Sequence, residues 1–114
     1  MGSEMNFVEF IVDQLEEAGT IRYRKMFGEF AIYCNEKIVG LICDNQFFVK
    51  PTAAGREFIG EERLEEQSPY PGAKPYYLIA DQVEDRDWLS ELVQISEKEL
   101  PLPRAKKPKE KKKA

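Results

Sequence analysis

Arginine, lysine and aromatic side chains cluster near residue 25, and this mixture is the part of the sequence best suited to contact another molecule. The cluster consists of Arg22, Tyr23, Arg24, Lys25 and Phe27. Cations bind phosphate groups and aromatic rings stack on bases, so the cluster could bind nucleic acid or a protein partner. The same cations also suit the solvent-exposed side of an edge strand, where charge prevents sheets from associating, with Tyr23 and Phe27 in the core.

Residues that could perform catalysis are sparse. The sequence contains no histidine, which removes the commonest general base and the commonest zinc ligand. Its two cysteines, Cys34 and Cys43, lie in apolar segments, where a thiol is usually an inert hydrophobic group. The acidic segment 61–66 has few apolar residues to hold a general acid in place. We therefore expect a protein that is not an enzyme and that uses neither a metal nor another cofactor.

Charge divides the chain into an acidic body and a basic tail. Residues 101–114 carry seven cations and one anion, a net charge of +6, which leaves ten cations and twenty anions, a net charge of −10, in residues 1–100. The lysines of the tail are Lys106, Lys107, Lys109, Lys111, Lys112 and Lys113. The tail has too few apolar residues to fold and is predicted to be disordered. It could bind DNA weakly and without sequence specificity by releasing counterions, or it could only aid solubility.

Apolar segments in the first half of the chain predict an antiparallel β-meander of three to four strands, with one further strand later. The predicted strands cover residues 20–26, 30–33, 38–43, 47–50 and 76–80. The first alternates, with Ile21 and Tyr23 on one side, which indicates a half-buried strand near an edge. The second and third are apolar on both sides, so we expect them at the centre of the sheet and covered by helices.

Three helices are predicted from apolar residues at spacings of three and four. They cover residues 6–18, 52–59 and 85–100. In the first helix, Asn6 provides an N-cap, with Ser3 as an earlier alternative, and the buried stripe includes Phe7, Phe10 and Ile11. Thr52 is predicted to cap the middle helix, and Asp85 or Asp87 the last one. The charged segment 61–69 is predicted to be a solvated loop or a weak helical turn.

The length of 114 residues is that of one ordinary domain, which we expect to occupy residues 1–100, followed by the tail at 101–114. No apolar run approaches the roughly 20 residues that a membrane span requires. The N-terminus lacks the basic and apolar regions of a signal peptide. We therefore expect a cytoplasmic protein without membrane contact and with reduced cysteines.

Several short motifs resemble those of one bacterial family. The sequence Arg-Lys-Met-Phe-Gly at 24–28 is followed by Tyr33, by the apolar run 38–42 and by Phe-Val-Lys at 48–50. These motifs resemble the N-terminal domain of the TfoX/Sxy family, and the motif residues are Met26, Phe27, Gly28, Tyr33 and Lys50. The similarity extends over nearly all of residues 6–103, and the lysine-rich end is similar to that of short, single-domain members.

The resemblance implies an α+β fold with a helix, an antiparallel meander, a middle helix, a further strand and a closing helix. It also implies a regulatory role in the transcription of competence genes, in which family members act alongside the cyclic-AMP receptor protein. The full-length competence regulators have a C-terminal helical domain, for which residues 101–114 offer no counterpart.

Two functional hypotheses of different class result. The first is a regulatory binding module that contacts a protein partner, DNA or both through the residues from Arg22 to Phe27 and through the tail. The second is a small-ligand-binding protein or an enzyme of unknown reaction, with a cleft around Tyr33, Tyr76 and Tyr77. The second hypothesis requires a concave pocket near those tyrosines. The sequence defines neither the identity of a partner nor an oligomeric state.

Overall fold

The chain combines three α-helices with a six-stranded antiparallel sheet in the residues that the structure describes. The computed structural model describes residues 4–26 and 29–100. The helices are α1 (Met5–Gln14), α2 (Ala53–Ile59) and α3 (Arg86–Glu99). The strands are β1 (Ile21–Met26), β2 (Glu29–Cys34), β3 (Lys37–Cys43), β4 (Gln46–Val49), β5 (Glu66–Gln67) and β6 (Tyr76–Ile79). This order confirms the predicted α+β fold.

The sheet has the strand order β1-β2-β3-β4-β6-β5, and every neighbouring pair is antiparallel. Strands β1 to β4 therefore form the predicted meander, and β1 lies at an edge as expected. The turns after β2 and β3 have left-handed backbone at Asn35 and Glu36 and again at Asp44 and Asn45, with φ between 53° and 73°. Two consecutive left-handed residues match the twist of antiparallel strands, which explains these tight hairpins.

All three α-helices pack on the same face of the sheet, which we call the helix face. Their buried side chains join a single hydrophobic cluster with Phe30, Ile32, Cys34, Val39, Ile42, Phe47, Val49, Tyr77 and Ile79 of the sheet. The prediction that helices cover the two-sided apolar strands β2 and β3 is therefore correct for one face and wrong for the other. Within residues 4–26 and 29–100, no helix is left to cover the opposite face.

Two details of α1 differ from the prediction. Its N-terminus has no side-chain cap, so the predicted capping by Asn6 is wrong. Phe10 was predicted to be buried, but it is 37% exposed, whereas Val8 is fully buried. The stripe that packs on the sheet is Val8, Ile11 and Leu15, which share one side of the helix because they are three and four residues apart.

The predicted caps of the other two helices are confirmed. The backbone N–H of Gly55 donates to the Thr52 hydroxyl at 2.9 Å, and the N–H of Trp88 donates to the Asp85 carboxylate at 3.2 Å. A Cβ atom at Gly55 would lie 3.1 Å from the Ser96 hydroxyl, so glycine permits a close approach of α2 to α3.

The acidic segment after α2 is more ordered than predicted. Strand β5 pairs with Tyr76 and Tyr77 of β6 and extends the sheet. Arg56 of α2 forms ion pairs with Glu61 at 2.7 Å and with Glu66 at 3.3 Å. The segment thus owes its position to partners elsewhere in the chain, since its own sequence has no strand pattern.

Candidate functional site

The face of the sheet opposite the helices, which we call the free face, carries an apolar row across its centre. Strand register aligns Ala31 with Leu41, Leu41 with Phe48, and Phe48 with Leu78. Ala31 and Phe48 are buried although neither belongs to the cluster under the helices. The free face therefore has apolar packing of its own.

A partly enclosed cavity of about 540 Å³ lies on the free face. Its apolar wall includes Met26, Ile38, Leu41, Cys43, Tyr70 and Tyr76. Ligand sites in proteins usually occupy roughly 300 to 1,000 Å³ and are mostly apolar with a few polar groups. Size and lining are thus those of a site for a small molecule.

Three polar groups border this cavity. Lys50 lines it, and its side chain forms no ion pair with any residue that the structure describes, although its backbone N–H donates to the Val39 carbonyl at 2.8 Å. The Glu29 carboxylate accepts a hydrogen bond from the N–H of Asp44 at 3.1 Å. Burial raises the pKa of the Tyr76 hydroxyl, with smaller contributions from Tyr70 and Cys43. Tyr76 therefore remains a neutral hydrogen-bond donor at physiological pH.

The two thiols are buried, free and protonated. Cys34 faces the helices, whereas Cys43 lines the cavity. Burial is the main cause that raises the pKa of each thiol to about 11, and nearby carboxylates add to it, Glu97 for Cys34 and Glu29 for Cys43. A nucleophilic cysteine requires a lowered pKa, so both behave as the predicted small hydrophobic groups.

Strand β1 divides the predicted basic and aromatic cluster between the two faces of the sheet, because alternate residues of a strand point to opposite sides. Arg22 pairs with Glu36 at 2.8 Å, and its guanidinium lies 5.2 Å from the centre of the Tyr33 ring on the free face. Tyr23 packs edge-on against Phe30 at 5.9 Å but remains 43% exposed, so the alternative that placed it in the core is wrong.

The two other cations of β1 are available for contact. Arg24 and Lys25 are exposed, and neither forms an ion pair within residues 4–26 and 29–100. The cluster is therefore a row along a sheet edge and not a single flat patch. Phe27 and Gly28, and the tail lysines from Lys106 to Lys113, lie outside the residues that the structure describes.

The three tyrosines of the second hypothesis do not share a cleft. Tyr76 lines the cavity, whereas Tyr33 is buried beneath Arg22. Tyr77 belongs to the core and donates its hydroxyl hydrogen to the Thr52 carbonyl at 3.3 Å. The concave pocket that this hypothesis required lies beside Tyr76.

Sequence reasoning did not identify most of the residues that line the cavity. Ile38, Leu41 and Cys43 were recognised as the second apolar side of β3, but that side was assigned to a helix contact. The available signal was the shortage of helices, since three short helices cannot cover both faces of the five predicted strands. Tyr70, in a loop rich in proline and glycine, had no local signal.

Neither a metal site nor a membrane span is found in the described part of the chain. No group of three or more histidine, cysteine, aspartate or glutamate side chains there is arranged to hold a metal ion. None of the helices within residues 4–26 and 29–100 is long and apolar enough to cross a membrane.

Comparison with known proteins identifies the family. The family model of the TfoX N-terminal domain matches residues 13–100. The chain belongs to the TfoX N-terminal domain family. A relative from Spirochaeta aurantia, the "Uncharacterized 12.7 kDa protein in trpE 5'region", is 41% identical over 111 residues, which cover 97% of this chain and 95% of the relative. The part that matches the TfoX N-terminal domain includes β1 and the whole lining of the cavity, and the resemblance noted from the motifs is thus confirmed.

Proposed function

We propose that this protein is a non-catalytic, TfoX-type regulatory module that binds an acidic, extended segment of a protein partner along strand β1. One observation supports this proposal above all others, namely that no strand among the described residues pairs with the outer side of β1, which bears the exposed cations Arg24 and Lys25. Family membership supports a regulatory role, and the process that we propose is transcription of competence genes in the cytoplasm.

An exposed edge offers backbone N–H and C=O groups to an incoming strand. Such edges usually carry charges that repel a second copy of the same strand. The same cations attract a segment of opposite charge, and Tyr23, which is 43% exposed, adds apolar contact area. Since the body of the chain is acidic, the positive edge would also direct the partner to β1.

Reversing the charge of β1 should abolish partner binding. In affinity capture from a lysate of the native bacterium, we expect the full chain to retain a protein that the double variant Arg24→Glu/Lys25→Glu does not retain. The matched control is Arg63→Glu/Lys98→Glu, which also reverses one exposed arginine and one exposed lysine, both outside β1. Equal retention by all three proteins, or no retained protein at all, would contradict the proposal.

A second contact, to DNA, is proposed for the basic tail. We expect the full chain to bind a random-sequence duplex at 20 mM salt and to lose this binding by 200 mM salt, because affinity due to counterion release falls steeply with salt. Deletion of the residues from Lys106 to Lys113 should remove the binding. Fluorescence anisotropy would measure both effects, and the absence of binding at 20 mM salt would exclude the contact.

A further inference from the structure

We propose that the cavity on the free face binds a small amphipathic anion, an apolar molecule with a single carboxylate that pairs with Lys50. Met26 of β1 lines the cavity but the exposed cations Arg24 and Lys25 do not, and the proposal does not depend on the function proposed above.

The lining of the cavity favours a ligand whose main part is apolar. Ile38 and Leu41 of β3 form part of the wall and are only partly buried, so they remain in contact with water when the cavity is empty. Cys43 beside them is protonated and therefore uncharged. Transfer of this surface from water to an apolar ligand is favourable.

The charges at the cavity select for one negative group. Lys50 lines the apolar cavity and its side chain has no ion-pair partner among the described residues, so an acid group of a ligand would supply the missing counter-charge. Glu29 also lines the cavity, and its negative charge disfavours a second negative group on the ligand by repulsion. A monoanion satisfies both conditions, whereas a dianion such as a phosphate ester does not.

Two tyrosines beside Lys50 add orientation, because Tyr70 and Tyr76 line the same cavity. The Tyr76 ring lines the wall, and its hydroxyl has no hydrogen-bond partner among the residues that the structure describes. This hydroxyl can donate to a carboxylate held by Lys50. Tyr70 is 50% exposed beside the cavity, where its ring can pack on the bound molecule.

Displacement of 1-anilinonaphthalene-8-sulfonate, an apolar monoanion that fluoresces when bound, tests the proposal on the full chain. We expect the dye to bind and octanoate to displace it at roughly tenfold lower concentration than 1-octanol, because only octanoate can pair with Lys50. Lys50→Met should abolish the preference for octanoate while 1-octanol still competes. The matched control, Lys98→Met on the helix side, should behave like the unchanged protein.

A second variant tests the apolar wall. Leu41→Glu, checked for folding by circular dichroism, should bind neither compound. The variant Arg24→Glu/Lys25→Glu should bind octanoate normally, so a failure of the β1 proposal and a failure of this one are distinguishable.

Three results would overturn the proposal. The first is the absence of dye binding. The second is equal competition by octanoate and 1-octanol, or a preference for octanoate that persists in Lys50→Met. The third is a dimer in light scattering that Leu41→Glu converts to a monomer, since the free face would then be covered by a second copy of the chain.

Discussion

Replacing Gly40 with alanine is expected to lower the free energy of unfolding by about 3 kcal/mol. A Cβ atom at this position in β3 would lie 2.4 Å from the carbonyl oxygen of Phe48 and 3.0 Å from the ring of Phe47. Neither group can move easily, because the first belongs to the backbone of β4 and the second is fully buried. Urea denaturation followed by the fluorescence of Trp88 would measure the loss.

A matched glycine separates this steric effect from that of backbone conformation. Gly72 has a φ of +90°, and no atom lies within 4 Å of a Cβ built there. Gly72→Ala should therefore lower the free energy of unfolding only through backbone strain, by roughly 1 kcal/mol. If Gly40→Ala were no more destabilising than Gly72→Ala, the close packing of β3 against β4 would be contradicted.

Replacing Glu97 with alanine is expected to lower the free energy of unfolding by about 2 to 3 kcal/mol. The ammonium of Lys37 lies 3.2 Å from the Glu97 carboxylate and also donates to the Glu97 carbonyl at 3.0 Å. Both side chains are largely buried, with 15% and 16% of their surface exposed. Removal of the carboxylate leaves a cation in an environment of low polarity without its counter-charge. Urea denaturation measures the difference.

The double variant Lys37→Met/Glu97→Met should recover most of that loss, because it leaves no unpaired charge between β3 and α3. Glu61→Ala is the exposed control, since the Glu61 side chain that pairs with Arg56 is 73% exposed. Exposed ion pairs contribute little to stability, so Glu61→Ala should leave the unfolding midpoint nearly unchanged. A loss for Glu97→Ala no larger than that for Glu61→Ala would show that the Lys37–Glu97 pair is unimportant.

Structural features that depend on residues close together in the sequence could be predicted from it. The N-caps Thr52 and Asp85 hold helix starts through bonds to residues three positions later, and both were identified. Strand β5 could not be predicted, because its two exposed residues become a strand only by pairing with β6, ten residues away in sequence. The burial of Val8 in place of Phe10 depended on the rotation of α1 over the sheet, which its sequence alone leaves open.

The candidate site was harder to predict from the sequence than the fold was. Lys50 was noted only as part of a family motif, and its position beside an apolar cavity results from the pairing of β3 with β4. Tyr70 reaches the same cavity from a loop between β5 and β6. These residues are distant from one another in sequence, so only the tertiary structure brings them together. The edge position of β1, in contrast, followed from its alternating pattern.

The separation of the two sheet faces also affects how such a domain can diversify. Apart from Phe30, which belongs to both groups, the residues that line the cavity are not part of the hydrophobic cluster under the helices. Substitutions at Ile38 or Leu41 can therefore alter the shape of the cavity while the hydrophobic cluster under the helices stays intact. Descendants of one ancestral chain could acquire new binding preferences in this way without first acquiring a new scaffold.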